Sequence, residues 1–188
     1  MIQGRKIEQI FTWSGAALLG AVFGPIYLAL FASPLCPTAS VFFAPSFDHG
    51  AITSIGRMWV CFFAFGNALS FAIAVSLRSD KESRADFWSR GLLFLVMFAA
   101  LAAALGNVWV TRSSLADQRT PAPAAQVIET FIVGLFYCGS GALSVLLSCI
   151  YVEIPLALVQ FGIWRAISRS VSVYVAQRAA GDKLALTA

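Results

Sequence analysis

The chain has 188 residues, of which 59% are hydrophobic and only 12% charged, with 13 Lys and Arg against 9 Asp and Glu and a formal net charge of +4. A mean hydropathy of +0.80 and a charged fraction well below the ~25% of soluble domains exclude a water-soluble core protein. The sequence pI near 9.1 does not point to nucleic acid, because the basic residues flank apolar segments instead of clustering on one readable face.

Four apolar stretches are each long enough to cross a bilayer: Ile10 to Ala32, Ile55 to Leu77, Gly91 to Val110 and Val127 to Val152. A hydrocarbon core ~30 Å thick needs ~20 residues at 1.5 Å rise, and each crossing must be helical because lipid satisfies no backbone group. The expected fold is therefore all-α: one polytopic membrane domain over residues 1–188, with four transmembrane helices and a C-terminal amphipathic interfacial helix at about 156–178. Arg5, Lys6, Arg78, Lys81, Arg84, Arg90, Arg165, Arg169, Arg178 and Lys183 mark the ends held at the inner leaflet, which predicts a bacterial inner-membrane protein with both termini cytoplasmic.

The first segment follows Arg5 and Lys6, and its apolar run exceeds the 7–15 residues of a signal peptide, so it is expected to be a retained crossing. Gly20 and Gly24 form a small-x-x-x-small pair that lets two helix backbones approach closely, and Pro25 should bend the outer half. Residues 33–54 read as an outer loop with Pro34, Pro37 and Pro45 and no Lys or Arg. Its Leu35, Val41, Phe42, Phe43 and Phe47 are expected in the outer interface or against a partner. Asp48 and His49 close the loop as a solvated turn.

Segment two opens at Arg57 and Trp59, a charge and an aromatic suited to a membrane boundary. Asn67 falls about halfway through it and needs a partner across the bundle. Residues 78–90 read as a charged cytoplasmic connector. Segment three is rich in alanine, with Ala99, Ala100, Ala102, Ala103, Ala104 and Gly106 giving a flat packing face and Asn107 near its outer end.

In segment four, Ser140, Ser144 and Ser148 repeat every four residues and share one helix face, where they are expected to support close helix packing. Glu129 and Glu153 are separated by ~36 Å of helix, which lets them sit at opposite interfaces of one crossing. If the helix is shifted, Glu153 becomes an intramembrane carboxyl. Pro155 should break the helix, after which Arg165 and Arg169, one turn apart, meet lipid headgroups from an interfacial helix; the runner-up is direct continuation of segment four into the cytoplasm. The end from Gly181 is expected to fray.

No nucleotide-binding, metalloprotease or nucleophile-elbow motif occurs, and one histidine in a loop excludes bis-histidine haem ligation. Cys36, Cys61, Cys138 and Cys149 lack any C-x-x-C spacing, and only Cys36 is placed as a pairing thiol. No cofactor, metal or nucleic acid is expected, only the bilayer and other membrane subunits. The leading expectation is a non-enzymatic subunit of a larger assembly such as a secretion, conjugation or energy-conversion complex. The alternative is a small oligomeric transporter or channel using Asn67, Asn107, Glu129 and Glu153. A third reading is a lipid-directed enzyme acting through Asp48 and His49.

Overall fold

Backbone amides in an apolar environment must be satisfied within the chain, and every described element is a helix. The computed structural model describes residues 2–77, 84–116 and 123–185. In chain order these form α1 (Ile2–Phe31), α2 (Pro37–Phe43), a 3-10 segment (Ala44–Gly50), α3 (Ser54–Ser76), α4 (Arg84–Ala116), α5 (Ala124–Ser148) and α6 (Ile150–Ala185). Five stretches are long and apolar enough to cross a membrane: Thr12–Phe31, Ser54–Ser76, Trp88–Ala116, Ala124–Ser148 and Ile150–Tyr174.

The most intimate pair is α1 with α3. A methyl group added at Gly20 would lie 2.7 Å from Ala68 Cα and 2.8 Å from the Asn67 carbonyl oxygen, and one at Gly24 would collide with the Phe63 carbonyl and Ala64 Cα. The register, 20 with 67–68 and 24 with 63–64, makes the two helices antiparallel. Lipid gives apolar helices little reason to associate, so dispersion between closely apposed backbones has to hold them. Pro25 is accommodated inside α1.

Aromatic rings then join α4 and α6 to this pair. Tyr27 meets Phe94 and Phe98, Phe63 meets Phe98 edge-on, and Phe71 contacts Phe94, Phe161 and Trp164. Edge-to-face pairs of this kind add ~0.5–1.5 kcal/mol each beyond area burial. Trp164 also packs over Gly15, where a methyl would lie 3.3 Å from its ring. Asn67 and Phe71 of α3 therefore face Gln160 and Trp164 of α6, and these two helices run parallel.

Residues 33–54, expected as a loop, contain α2 and the 3-10 segment. Pro37 takes the first turn of α2, where a missing N–H costs nothing. Phe43 is drawn inward against Phe31, Trp59 and Phe63, and Phe47 packs on the core, whereas Leu35, Val41 and Phe42 remain exposed. Thr53 caps α3 by accepting from the Gly56 amide at 3.1 Å. Trp59, on the second turn of α3, packs beside Gly106, where a methyl would lie 3.2 Å from its ring.

Two expectations for the C-terminal third change. The apolar run 127–152 is not one helix: the chain turns at Cys149, with φ −108° and ψ 13°, and α6 starts anew at Ile150. The turn comes six residues before Pro155, which is carried inside α6 at the loss of one ladder bond. The segment 156–178 is not a separate interfacial helix either, because Ala157, Gln160 and Trp164 spend its apolar side on the bundle. It belongs to the 36-residue α6, which continues to Ala185, beyond the expected fraying point.

At the α5–α6 turn, the Tyr151 hydroxyl donates to the Leu35 carbonyl. Cys36 and Cys149, both fully buried, lie side by side there. The start of α5 is held on the C-terminal half of α4 by Asn107, whose Nδ2 donates to the Phe131 carbonyl at 3.0 Å. Little of α5 is otherwise covered: 6% of its apolar window is buried, against 44% for α3.

Candidate functional site

The polar residues that the sequence singles out fall into three places. Asn67 belongs to a buried amide pair: its Oδ1 accepts from Gln160 Nε2 at 2.8 Å, and both side chains are fully buried. Asn67 Nδ2 and Gln160 Oε1 have no hydrogen-bond partner among the described residues. Asn107, also fully buried, ties α4 to α5; besides donating to Phe131 it accepts from the Thr111 hydroxyl at 3.4 Å. Gly134 leaves room for the Asn107 amide, since a methyl there would strike Oδ1.

The third place is a cavity of about 740 Å³ between α4 and α5, closed on one side by Phe31, Phe43, Trp59 and Phe63. On α4 the lining follows one small-residue stripe, Ala99, Ala102, Ala103 and Gly106, continued by Val110 and Ser114. On α5 it follows Thr130, Val133, Gly134, Tyr137, Gly141 and Val145. Residues three or four apart share a helix face, so two small-sided faces opposed at a distance leave space between them. Had α5 lain as close to α4 as α1 does to α3, the same alanines would have been a packed seam.

Both glutamates line this cavity and occupy very different settings. Glu129, on the first turns of α5, is exposed, whereas Glu153, in the first turn of α6, is 4% exposed. Glu153 Oε2 has no hydrogen-bond partner among the described residues. The Tyr27 hydroxyl, likewise unpartnered, lies within electrostatic reach of Glu153, as does the Cys149 thiol. Because the chain turns at Cys149, Glu153 points into the bundle on the same α6 face as Ala157, Gln160 and Trp164. Leaving one carboxyl oxygen unsatisfied in an apolar interior costs ~1–3 kcal/mol or more, so such a group marks a place where structure alone is not being optimised.

The remaining sequence candidates stand apart. Gly20 and Gly24 lie in the α1–α3 seam. Ser140 and Ser144 are exposed, and the hydroxyls of Ser140 and Ser148 donate to the carbonyls of Tyr137 and Ser144 on their own helix, at 3.0 and 2.5 Å. Arg165 and Arg169 are exposed on α6. The side chain of His49 lies outside the described residues, so the Asp48–His49 pair has no geometry to report. Among the described residues no group of three or more His, Cys, Asp or Glu is placed to hold a metal ion.

Sequence reasoning passed over Gln160, Tyr27 and the meeting of Cys36 with Cys149. A signal for Gln160 was present, since Glu153, Ala157, Gln160 and Trp164 keep helical spacing. Assigning 156–178 to the membrane surface hid it. Comparison of the chain with protein-family models, with curated proteins and with solved structures finds no match.

Proposed function

We propose that this chain is an integral membrane protein that acts by holding a membrane-dissolved molecule, as a small transporter does, without covalent chemistry of its own. The observation that carries the reading is Glu153: a buried carboxyl with an unsatisfied oxygen, on the wall of a 740 Å³ cavity otherwise lined largely by Ala, Gly and aromatic side chains. Binding sites for small molecules combine this apolar lining with a few placed polar groups. A hydrolase or transferase would need convergent titratable groups, and the only other carboxyl on the wall among the described residues, Glu129, belongs to the far end of α5.

In this reading α1, α3, α4 and α6 make the four crossings of a bacterial-type inner membrane, with α5 leaning across one end of the bundle in the outer leaflet. The reading is supported by anchors that hold both parts of α5 near the N-terminal end of α3: Asn107 on Phe131 at one side, and Tyr151 on Leu35 just past the other. Basic residues of the 78–90 connector and Arg165 and Arg169 then fall together on the cytoplasmic side, with both termini. A membrane-impermeant maleimide should label single cysteines introduced within 117–123 on intact cells, and should label those in 78–83 or 180–188 only after permeabilisation. Labelling of all three from outside would overturn the topology.

The functional reading is tested by native mass spectrometry of the full chain released from nanodiscs. A homo-oligomer carrying a small-molecule adduct, lost in Glu153→Gln, is the expected result. A second reading, a subunit of a larger membrane assembly, is favoured by the apolar side chains that α5 leaves exposed, Phe131, Ile132, Phe136, Tyr137 and Leu143 among them. Co-purification with unlike subunits in fixed ratio, with no adduct and no effect of Glu153→Gln, would decide for it.

A further inference from the structure

We infer that the cavity between α4 and α5 takes an apolar molecule ending in a single protonated amine, with the ammonium group on Glu153 and the apolar body along the alanine stripe of α4; the inference rests on the reading of the cavity as a binding site. The wall makes the selection. Its body is formed by side chains such as Phe31, Phe63, Leu95, Phe98, Ala102 and Val145, which favour an aromatic or aliphatic skeleton. Its carboxyl groups are those of Glu129 and Glu153, and no Lys, Arg or His is among the described lining residues.

Each alternative occupant leaves something unanswered. A neutral apolar molecule brings neither a donor nor a charge to the buried Glu153 carboxyl. A carboxylate, sulfonate or phosphodiester would be desolvated beside two carboxyls with no cation among the described lining residues to meet it. An ammonium group supplies both a donor and an opposite charge, and charge-assisted bonds of this type are about twice as strong as neutral ones. In a water-poor site they strengthen further.

The site also has a direction. Glu129 and Glu153 are separated by most of α5, which extends ~29 Å from Glu129 to Ser148. Of the two, only Glu153 is buried, with the Tyr27 hydroxyl and Cys149 thiol for neighbours. The exposed Glu129 stands with Thr130 and Ser114 where a cation first meets the groove, and Glu153 is the place it is retained. A volume of 740 Å³ admits a skeleton of drug-like size and falls within the ~300–1,000 Å³ of small-molecule sites. The primary ammonium could arrive on a free lipophilic amine or on an ethanolamine phospholipid, and the uncompensated phosphodiester of the latter argues for the free amine.

The test uses the full chain in nanodiscs of choline phospholipid, with 2-(2-naphthyl)ethylamine and 2-(2-naphthyl)ethanol as probes and empty discs to subtract partitioning into lipid. The amine should bind at least tenfold more tightly than the alcohol. In Glu153→Gln the two should come within about twofold of each other, and Ala102→Trp, which fills the groove, should abolish saturable binding of both. Equal affinity of amine and alcohol for the unaltered protein overturns the ammonium assignment and leaves the cavity reading standing. Saturable binding that is unchanged in Ala102→Trp overturns the cavity reading itself. Ethanolamine phospholipid added to the discs should not compete; displacement of the amine by it would overturn the free-amine assignment.

Discussion

The α1–α3 seam and the α4–α5 groove are built from the same kind of residue and reach opposite ends. In the seam, Gly20 and Gly24 let α1 rest on the backbone of α3, and nothing larger than a hydrogen fits. In the groove, Ala99, Ala102 and Ala103 of α4 and Gly141 and Val145 of α5 line open space, and a methyl at Gly141 would meet nothing within 4 Å. The difference lies in what holds each pair together. The seam is continuous backbone contact; α5 is tied near one end by Asn107 and at the other by the turn at Cys149, so its middle stands away from α4. Small residues permit close packing and do not cause it: the anchors at the ends decide whether two flat faces meet.

The sharpest way to break this contrast is to enlarge the seam. Gly24→Leu would drive its Cβ into the Phe63 carbonyl and Ala64 Cα, backbone atoms that cannot rotate away. A loss of more than ~3 kcal/mol, enough to prevent a folded bundle, is expected in reversible detergent unfolding. Gly141→Leu, on the groove side, has nothing within 4 Å of the added carbon and should leave the unfolding midpoint nearly unchanged.

The buried amides come next. Gln160→Leu removes the partner of a fully buried Asn67 and should cost ~1–2 kcal/mol; adding Asn67→Leu should recover part of that loss, which a double-mutant cycle would register as coupling. Asn107→Ala releases the start of α5 from Phe131 and should cost ~0.6–1.7 kcal/mol, while speeding hydrogen exchange in α5 more than in α3. The smallest effect belongs to the serine stripe. Ser144→Ala, at an exposed position, should stay within ~0.5 kcal/mol of the parent in the same unfolding assay.

The helical class and most apolar segments were legible in the sequence because hydropathy and length are local properties. The seam was legible for a similar reason, since Gly20 and Gly24 carry their spacing on one helix. The turn at Cys149 was not. Neither Cys149 nor Ile150 breaks helices by itself; contacts from 113 and 116 residues away, Cys36 beside Cys149 and Leu35 beneath the Tyr151 hydroxyl, accompany the change of direction. Pro155 was the conspicuous breaker and is absorbed within α6. Once the turn lies before Glu153 instead of after it, the carboxyl expected at an interface is carried into the bundle, and the apolar side of residues 156–164 faces α1 and α3 instead of the inner leaflet. Asn67 and Glu153 were recognisable as polar residues in apolar surroundings; their partners and their separation into two sites required the path of the chain.

Trp59 gives the protein its own optical probe. Its indole forms part of the groove wall and meets Phe43, Phe62 and Phe63 edge-on, so anything that enters displaces water or lipid from beside a native fluorophore. With Trp13, Trp88, Trp109 and Trp164 replaced by phenylalanine, the emission of the single remaining indole would follow occupancy in real time, with no dye attached to the chain.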